Sequence, residues 1–267
     1  MPDIRLASWN INSVRLRADL VSQFLTAEAP DVLCLQEIKC PDALFPAETF
    51  SALGYVHQAV SGQKGYHGVA ILSRLPFRQT DVMQFCGKLD MRHVSVTFEG
   101  GLELHNFYVP AGGDIPDPKV NPKFAHKLAF LREMEACFSK WRGKRSAPVA
   151  LVGDLNVAPL ENDVWSHKQM VRVVSHTPIE VELLTAAQRA FDWIDVTRSF
   201  VPPEEKIYSW WSYRARDWAA SNRGRRLDHL WVGPGLKDCV SRHEILRDAR
   251  SWTRPSDHVP VLATISL

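Results

Sequence analysis

No stretch of the 267-residue chain is apolar for long enough to cross a bilayer. The opening residues M-P-D-I-R-L-A-S-W-N place Asp3 and Arg5 where a leader needs an unbroken apolar run, so no cleaved signal and no membrane partner are expected. Cysteine is scarce: the five thiols (Cys34, Cys40, Cys86, Cys137, Cys239) are scattered and odd in number. That excludes a disulfide framework and a zinc-finger spacing, and fits reduced thiols in a cytoplasmic protein. Net charge is almost absent, with 32 Lys and Arg against 30 Asp and Glu. Overall charge therefore selects no partner, and any nucleic-acid surface must be a local patch. Tandem repeats, low-complexity tracts and linker-like breaks are also missing. One monomeric domain over residues 1–267 is the simplest expectation, with ample length for a sizeable core.

Short apolar runs predict strands at Ile4–Trp9, Val32–Gln36, Val69–Ser73, His93–Phe98, Leu102–Val109, Val149–Val152, Leu227–Val232 and Val259–Ser266. The run H-V-S-V-T-F alternates, as a strand with one polar face should. The runs V-L-C-L (32–35) and V-A-L-V (149–152) are continuously apolar, which suits strands covered on both faces. Helical spacing follows Ser13, a plausible N-cap, through Leu16, Leu20, Val21, Phe24 and Leu25. A second helix is predicted from Phe124 and a third after Pro178. Strands mixed with helices indicate an α/β domain.

Polar residues recur where these strands end. The segment G-D-L-N closes an apolar run with Asp154 and Asn156, which are two apart and so face the same side of an extended chain. Asn10, Glu37 and Tyr108 close three other strands. Asp228 lies inside a further one, and Asp257 and His258 immediately precede the last. Singly, each fits a bland role: a turn former, a surface acid, or a hydrogen-bonded histidine. Six such sites together supply four carboxylates, two amides, a phenol and an imidazole. Buried carboxylates are costly unless paired or metal-bound. A cluster of acids and amides offers the oxygen ligands that Mg2+ or Mn2+ takes.

In order, W-N-I-N, L-Q-E, Y-V-P, G-D-L-N, S-W-W-S-Y-R, R-L-D-H and S-D-H-V-P-V resemble the exonuclease III family of abasic-site endonucleases, within the endonuclease/exonuclease/phosphatase superfamily. The resemblance spans about Ile4 to Leu267. It implies a four-layer α/β sandwich, two packed mixed β-sheets flanked by helices, with the site where strand ends of both sheets meet. It also implies hydrolysis of the phosphodiester 5′ to an abasic site in duplex DNA, leaving a 3′-hydroxyl, and action on 3′-blocked ends. A mainly 3′→5′ exonuclease, or another nuclease or phosphatase of the superfamily, is the alternative. A binding module with a decayed site is a more distant one, and no assigned position is missing. By resemblance, Glu37 is the main ligand of Mg2+, with Asn10 and Asp257 nearby. Asp154 orients or deprotonates the water, and Asn156 holds Asp154. His258, partnered by Asp228, contacts a phosphate oxygen. Tyr108 and Asn10 supply further donors. Asn12 stands where some relatives carry an acid, which weakens a second metal position.

The segment 214–226 holds five arginines and one aspartate, interleaved or flanked by Tyr208, Trp210, Trp211, Tyr213 and Trp218. Basic charge gives phosphate affinity, and aromatic rings can occupy a gap in a base stack. Trp210 aligns with the family's aromatic on the abasic sugar, and one of Trp210 and Trp211 is expected in the core. Lys64, Arg214, Arg223 and Arg225 are the candidate DNA contacts, with Lys119 and Lys123 as further possibilities. His167 has no assigned role.

Overall fold

The two uninterrupted apolar runs become central strands of two six-stranded sheets. In the computed structural model, which describes residues 3–267, the first sheet has the spatial order β13 (Val240–Ile245), β14 (Val261–Ile265), β1 (Ile4–Asn10), β2 (Val32–Gln36), β4 (Val69–Ser73) and β3 (His57–Ser61). The first two residues of the stretch read for a leader lie outside the described residues. The second sheet has the order β5 (Phe77–Asp81), β6 (His93–Phe98), β7 (Glu103–Tyr108), β8 (Val149–Asp154), β12 (Asp228–Val232) and β9 (Ile194–Asp195). A ribbon of β10 (Trp210–Trp211) and β11 (Gly224–Arg225) stands apart. Both large sheets are mixed: β1 with β2 and β7 with β8 run parallel, while the other ladders are antiparallel.

Side-chain alternation builds the layers. Along β2, Val32 and Cys34 face the second sheet, while Leu33 and Leu35 face outward. Along β8, Ala150 and Val152 face inward, and Val149 and Leu151 outward. The helix Ala18–Glu28 packs Val21, Phe24 and Leu25 against Trp9, Leu33 and Leu35. On the other side, the helices Pro122–Lys140 and Pro178–Phe191 bring Leu128, Leu131, Met134, Leu183 and Leu184 onto Phe107, Leu151 and Trp231. Both faces of each central strand are thus apolar, and the result is the expected four-layer sandwich.

The same parity positions the site. Leu6, Ser8 and Asn10 share one face of β1; Leu104, Asn106 and Tyr108 share one of β7; Ala150, Val152 and Asp154 share one of β8. The space between the sheets therefore runs from apolar to polar along the strands. At its middle, Gln36 Nε2 donates to Asn106 Oδ1 at 2.7 Å and to Ser8 Oγ at 3.0 Å. Beyond that buried amide layer lie the acids.

Three sequence expectations shift. The first helix begins at Ala18, and Ser13 does not cap it. Ser13 instead has a positive φ of 86° and its N–H donates to Glu37 O at 2.7 Å, so residues 11–17 fold back over the strand end. The second helix begins at Pro122, capped by Asn121. Strands β3, β5, β9 and β13 were not anticipated. All four are sheet edges, where polar residues replace the apolar pattern and so erase the signal.

Candidate active site

Asp154 is held by its own loop before any ligand is considered. Gly153 precedes it at φ 143°, where an added Cβ would lie 1.9 Å from Phe107 O, so only glycine lets β8 approach β7 there. Asn156 turns the chain at φ 54°, a left-handed conformation that asparagine tolerates. Its backbone N–H donates to Asp154 Oδ1 at 2.9 Å and its Nδ2 to Asp154 Oδ2 at 3.0 Å. Lys127, fully buried and paired with Glu180 at 2.5 Å, donates to Asn156 O at 2.7 Å and anchors the turn from below.

Strand register brings the other groups to this point. Tyr108 and Asp228 lie directly opposite Asp154 on the two neighbouring strands. Asn10 ends β1, and its Nδ2 donates to both Asp154 Oδ2 (2.8 Å) and Glu37 Oε1 (3.0 Å). Its Oδ1 already accepts the N–H of Asn12 at 3.0 Å. Asn10 therefore bridges the two acids. Glu37 also pairs with Lys39 at 2.8 Å. Burial pushes Glu37 up, but Lys39 and the Asn10 amide outweigh it, so the carboxyl lies below its ordinary range. Burial and the neighbouring acids Asp228 and Glu37 push Asp154 up to about 7, against the pull of His258.

His258 sits between two acids. Its Nδ1 lies 2.8 Å from Asp228 Oδ2, and its Nε2 lies 3.7 Å from Asp154 Oδ2. Burial opposes its charge, but Asp228 and Asp154 raise it to about 10, so the ring is an imidazolium at neutral pH. Ser209 Oγ donates to the same Asp228 oxygen at 2.6 Å and fixes that carboxylate. Tyr108 is buried under the Arg92 guanidinium, whose centre lies 4.9 Å from the ring. Burial beside Glu37 and Asp154 pushes its hydroxyl well up, so it remains a phenol and a donor.

Glu37, Asp154 and His258 present ligand-type atoms within 4.8 Å of one another. Two of the three are carboxylates. Hard oxygen donors, few in number and beside a cleft, fit a divalent cation that keeps part of its water shell. Asp257 lines the cleft but lies outside this cluster. Its Oδ1 accepts from Asn12 Nδ2 at 3.0 Å and its Oδ2 from Trp210 Nε1 at 2.9 Å.

The cleft above the acids has a volume of about 690 Å³ and runs from Glu37, Asn156 and His258 to Trp165, Met170, Trp210 and Arg225. Trp210 is half-buried in its wall, while Trp211 is core at 2% exposure. Arg214 and Arg223 also line it, both exposed. Lys64 is exposed on its loop and does not line the cleft; Lys119 and Lys123 are exposed beyond it. The basic stretch is less free than its composition implied. Arg226 is fully buried, gripping Asp163 at 2.8 and 2.9 Å and Asp195 at 2.8 Å. It therefore partners neither DNA nor Asp228. His167 meets His176 at 2.8 Å and is a brace of the loop 160–177.

Sequence reasoning passed over Lys39, Trp165 and the working of Asn12. Lys39 follows Glu37 by two residues, the same spacing that singled out Asp154 and Asn156. Trp165 carries no local signal; only the tertiary fold brings it into the cleft lining with Trp210.

A buried dyad of acids, an imidazolium and a phenol at the floor of an open cleft define a phosphoester hydrolase site. Residues 7–258 match the Endonuclease/Exonuclease/phosphatase family. The chain is 30% identical to exodeoxyribonuclease III of Haemophilus influenzae, over 97% of this chain and 99% of that protein. A solved AP endonuclease from Archaeoglobus fulgidus superposes with a TM-score of 0.90 at 28% identity, covering 99% of this chain and 100% of that one. A 3′ phosphatase from Neisseria bound to a product DNA hairpin gives a TM-score of 0.90 at 26% identity, covering 99% and 100%. The chain belongs to the endonuclease/exonuclease/phosphatase family, in its exonuclease III-like branch. Enzymes of this branch are hydrolytic phosphodiesterases, and the family depends on divalent metal.

Proposed function

We propose that this chain is a DNA-repair nuclease that hydrolyses the phosphodiester 5′ to an abasic site in duplex DNA, leaving a 3′-hydroxyl, with 3′→5′ exonuclease and 3′-phosphatase activity at the same site. The observation that carries the reading is the Asp228–His258–Asp154–Asn10–Glu37 chain of contacts, buried at one end of a cleft whose other end is walled by Trp165 and Trp210. The relatives named for AP endonuclease, exodeoxyribonuclease and 3′ phosphatase activities support it.

Such hydrolysis needs an aligned water, neutralised phosphate oxygens and a stabilised leaving oxygen. Asp154, with both oxygens fixed by Asn10 and Asn156, orients the water and takes its proton. The imidazolium of His258 has only Nε2–H free and offers it to a phosphate oxygen; Tyr108 donates to another. Asn10 holds Glu37 and Asp154 at constant spacing. A divalent cation, Mg2+ or Mn2+ in its place, would be held by Glu37 with Asp154, and when bound it supplies charge neutralisation at the phosphate and the departing oxygen. Trp210 packs on the extruded abasic sugar, which has no base stacking to lose. The exposed Arg214 and Arg223 hold flanking phosphates. A monomer in the cytoplasm suits five free cysteines, two of them buried.

One gel tests this. A 5′-labelled duplex with a single abasic analogue, and an intact control, are incubated in Mg2+ or in excess EDTA. The expected result is a Mg2+-dependent single cut at the lesion, faster than any loss of the control. A 3′ ladder on both substrates would make exonuclease the main activity, and no cutting in Mg2+ or Mn2+ would defeat the reading.

A further inference from the structure

Arg225 is desolvated without a carboxylate to pair with. Its guanidinium stacks 4.9 Å from the Trp210 ring centroid. One terminal nitrogen donates to Val174 O at 3.1 Å and Ser175 Oγ at 2.9 Å, both neutral acceptors. Its buried Nε has no hydrogen-bond partner. The acid whose charge it feels, Glu180, is taken by Lys127 at 2.5 Å. Among the described residues Arg225 enters no ion pair, whereas its neighbour Arg226 enters two. This half-buried guanidinium, with its Nε shut away unpaired and no carboxylate beside it, is open to an anion that enters the cleft.

Its place in the cleft says which anion. Arg225 lies directly opposite Trp210, and Trp210 lies opposite His258. Residues directly opposite on adjacent strands project to one face. Strands stand about 4.8 Å apart, so the backbones of Arg225 and His258 are about 10 Å apart. A phosphate held by His258 thus has Arg225 within side-chain reach of whatever else is esterified to it. All three residues line the same cavity, which at about 690 Å³ admits a group well beyond the phosphate.

Resting on the proposed function, we infer that Arg225 determines specificity by binding a carboxylate on the group esterified to the scissile phosphate, so that carboxylate-bearing 3′ blocks are favoured over uncharged ones of equal length. Arg225 plays no part in the bond-breaking step. The rival role is structural, a staple between the ribbon and the 174–175 loop.

The test uses the full chain in Mg2+ and a nicked duplex with three 3′ ends: phosphoglycolate, ethyl phosphate, whose ethyl group carries no charge, and plain phosphate. The parent should show kcat/KM about tenfold higher on phosphoglycolate than on ethyl phosphate, the worth of one charge-assisted hydrogen bond. Arg225→Gln should bring that ratio near one, and because both rates come from the same variant, any general loss of DNA affinity cancels in it. Ser175→Ala, which weakens the staple and keeps the charge, should leave the ratio as in the parent. A second arm needs no turnover: free 2-phosphoglycolate should raise the parent's Tm more than ethyl phosphate does, and equally in Arg225→Gln. A ratio unchanged in Arg225→Gln, or lost in Ser175→Ala, overturns the inference while leaving the nuclease intact. Failure of the parent on every end, plain phosphate included, removes the function itself and the inference with it.

Discussion

Replacing Asp228 by Asn leaves the shape of the site nearly unchanged and removes one charge. In the parent, Asp228 Oδ2 lies 2.8 Å from His258 Nδ1, and with Asp154 it raises the ring to about 10 against the opposing effect of burial. Without that charge the ring falls from this value, with Asp154 and Asp257 left to oppose burial. At pH 8 the parent ring is almost wholly protonated, and the variant ring gives up part of that charge. If the imidazolium carries phosphate charge, Asp228→Asn should cut the abasic duplex more slowly at pH 8, by about tenfold for each unit by which its ring falls below pH 8, and recover much of the loss near pH 6. The assay is a single-turnover pH–rate profile of parent and variant, with the His258 ring followed by NMR titration. An unchanged profile, or a variant ring still titrating near 10, would refute the reasoning. The sign also bears on stability. Since the folded value is raised, the pair's contribution is fully present below about pH 6.5 and is lost as pH rises through about 10.

Glu37→Ala should raise the Mg2+ concentration needed for half-maximal cutting, and an unaltered Mg2+ titration would remove Glu37 from the ion's neighbourhood. Gly153→Ala forces a Cβ to within 1.9 Å of Phe107 O and should destabilise by at least about 3 kcal/mol, read from urea unfolding; a cost under about 1 kcal/mol would show that β8 has room to shift. Burial raises the Asp163 carboxyl, but Arg226 and Arg198 lower it more, to about 2. Its folded value is depressed, so its contribution of about 2 kcal/mol is present above about pH 3.8 and is lost as pH falls through about 2. Asp163→Asn should therefore flatten the stability profile between pH 4 and 2, and a parent-like slope there would assign the acid sensitivity to other groups.

The central strands and the three long helices were legible because they are buried on one or both faces, and burial writes a period of two or 3.6 into the sequence. Edge strands β3, β5 and β13 were not, since polar residues, charged ones in β5 and β13, break up their apolar pattern. The site was legible as a set: Asn10, Glu37, Tyr108, Asp154, Asn156, Asp228 and His258 all stand where apolar strands end. Their division of labour was not. The sequence did not show that Asn10 bridges Glu37 and Asp154, or that Asp257 accepts from Asn12 and Trp210. The five clustered arginines read as one basic patch, yet Arg226 is fully buried between Asp163 and Asp195, and Arg225 lies against Trp210.

Sequence alone determined the residue types, their order and their parity along each strand, because alternation is a local property of an extended chain. Parity put Asp154 on the same face as Val152, and Asn10 on the same face as Ser8, before any sheet was formed. Only the tertiary structure decided which polar atoms meet. Strand register set Asp228 and Tyr108 opposite Asp154, and the packing of two sheets closed Asn10 over both acids. Those pairings join residues up to 144 positions apart for Asn10 and Asp154. No local pattern encodes them, because the partner of a buried polar atom is whichever group the folded chain brings within hydrogen-bonding distance.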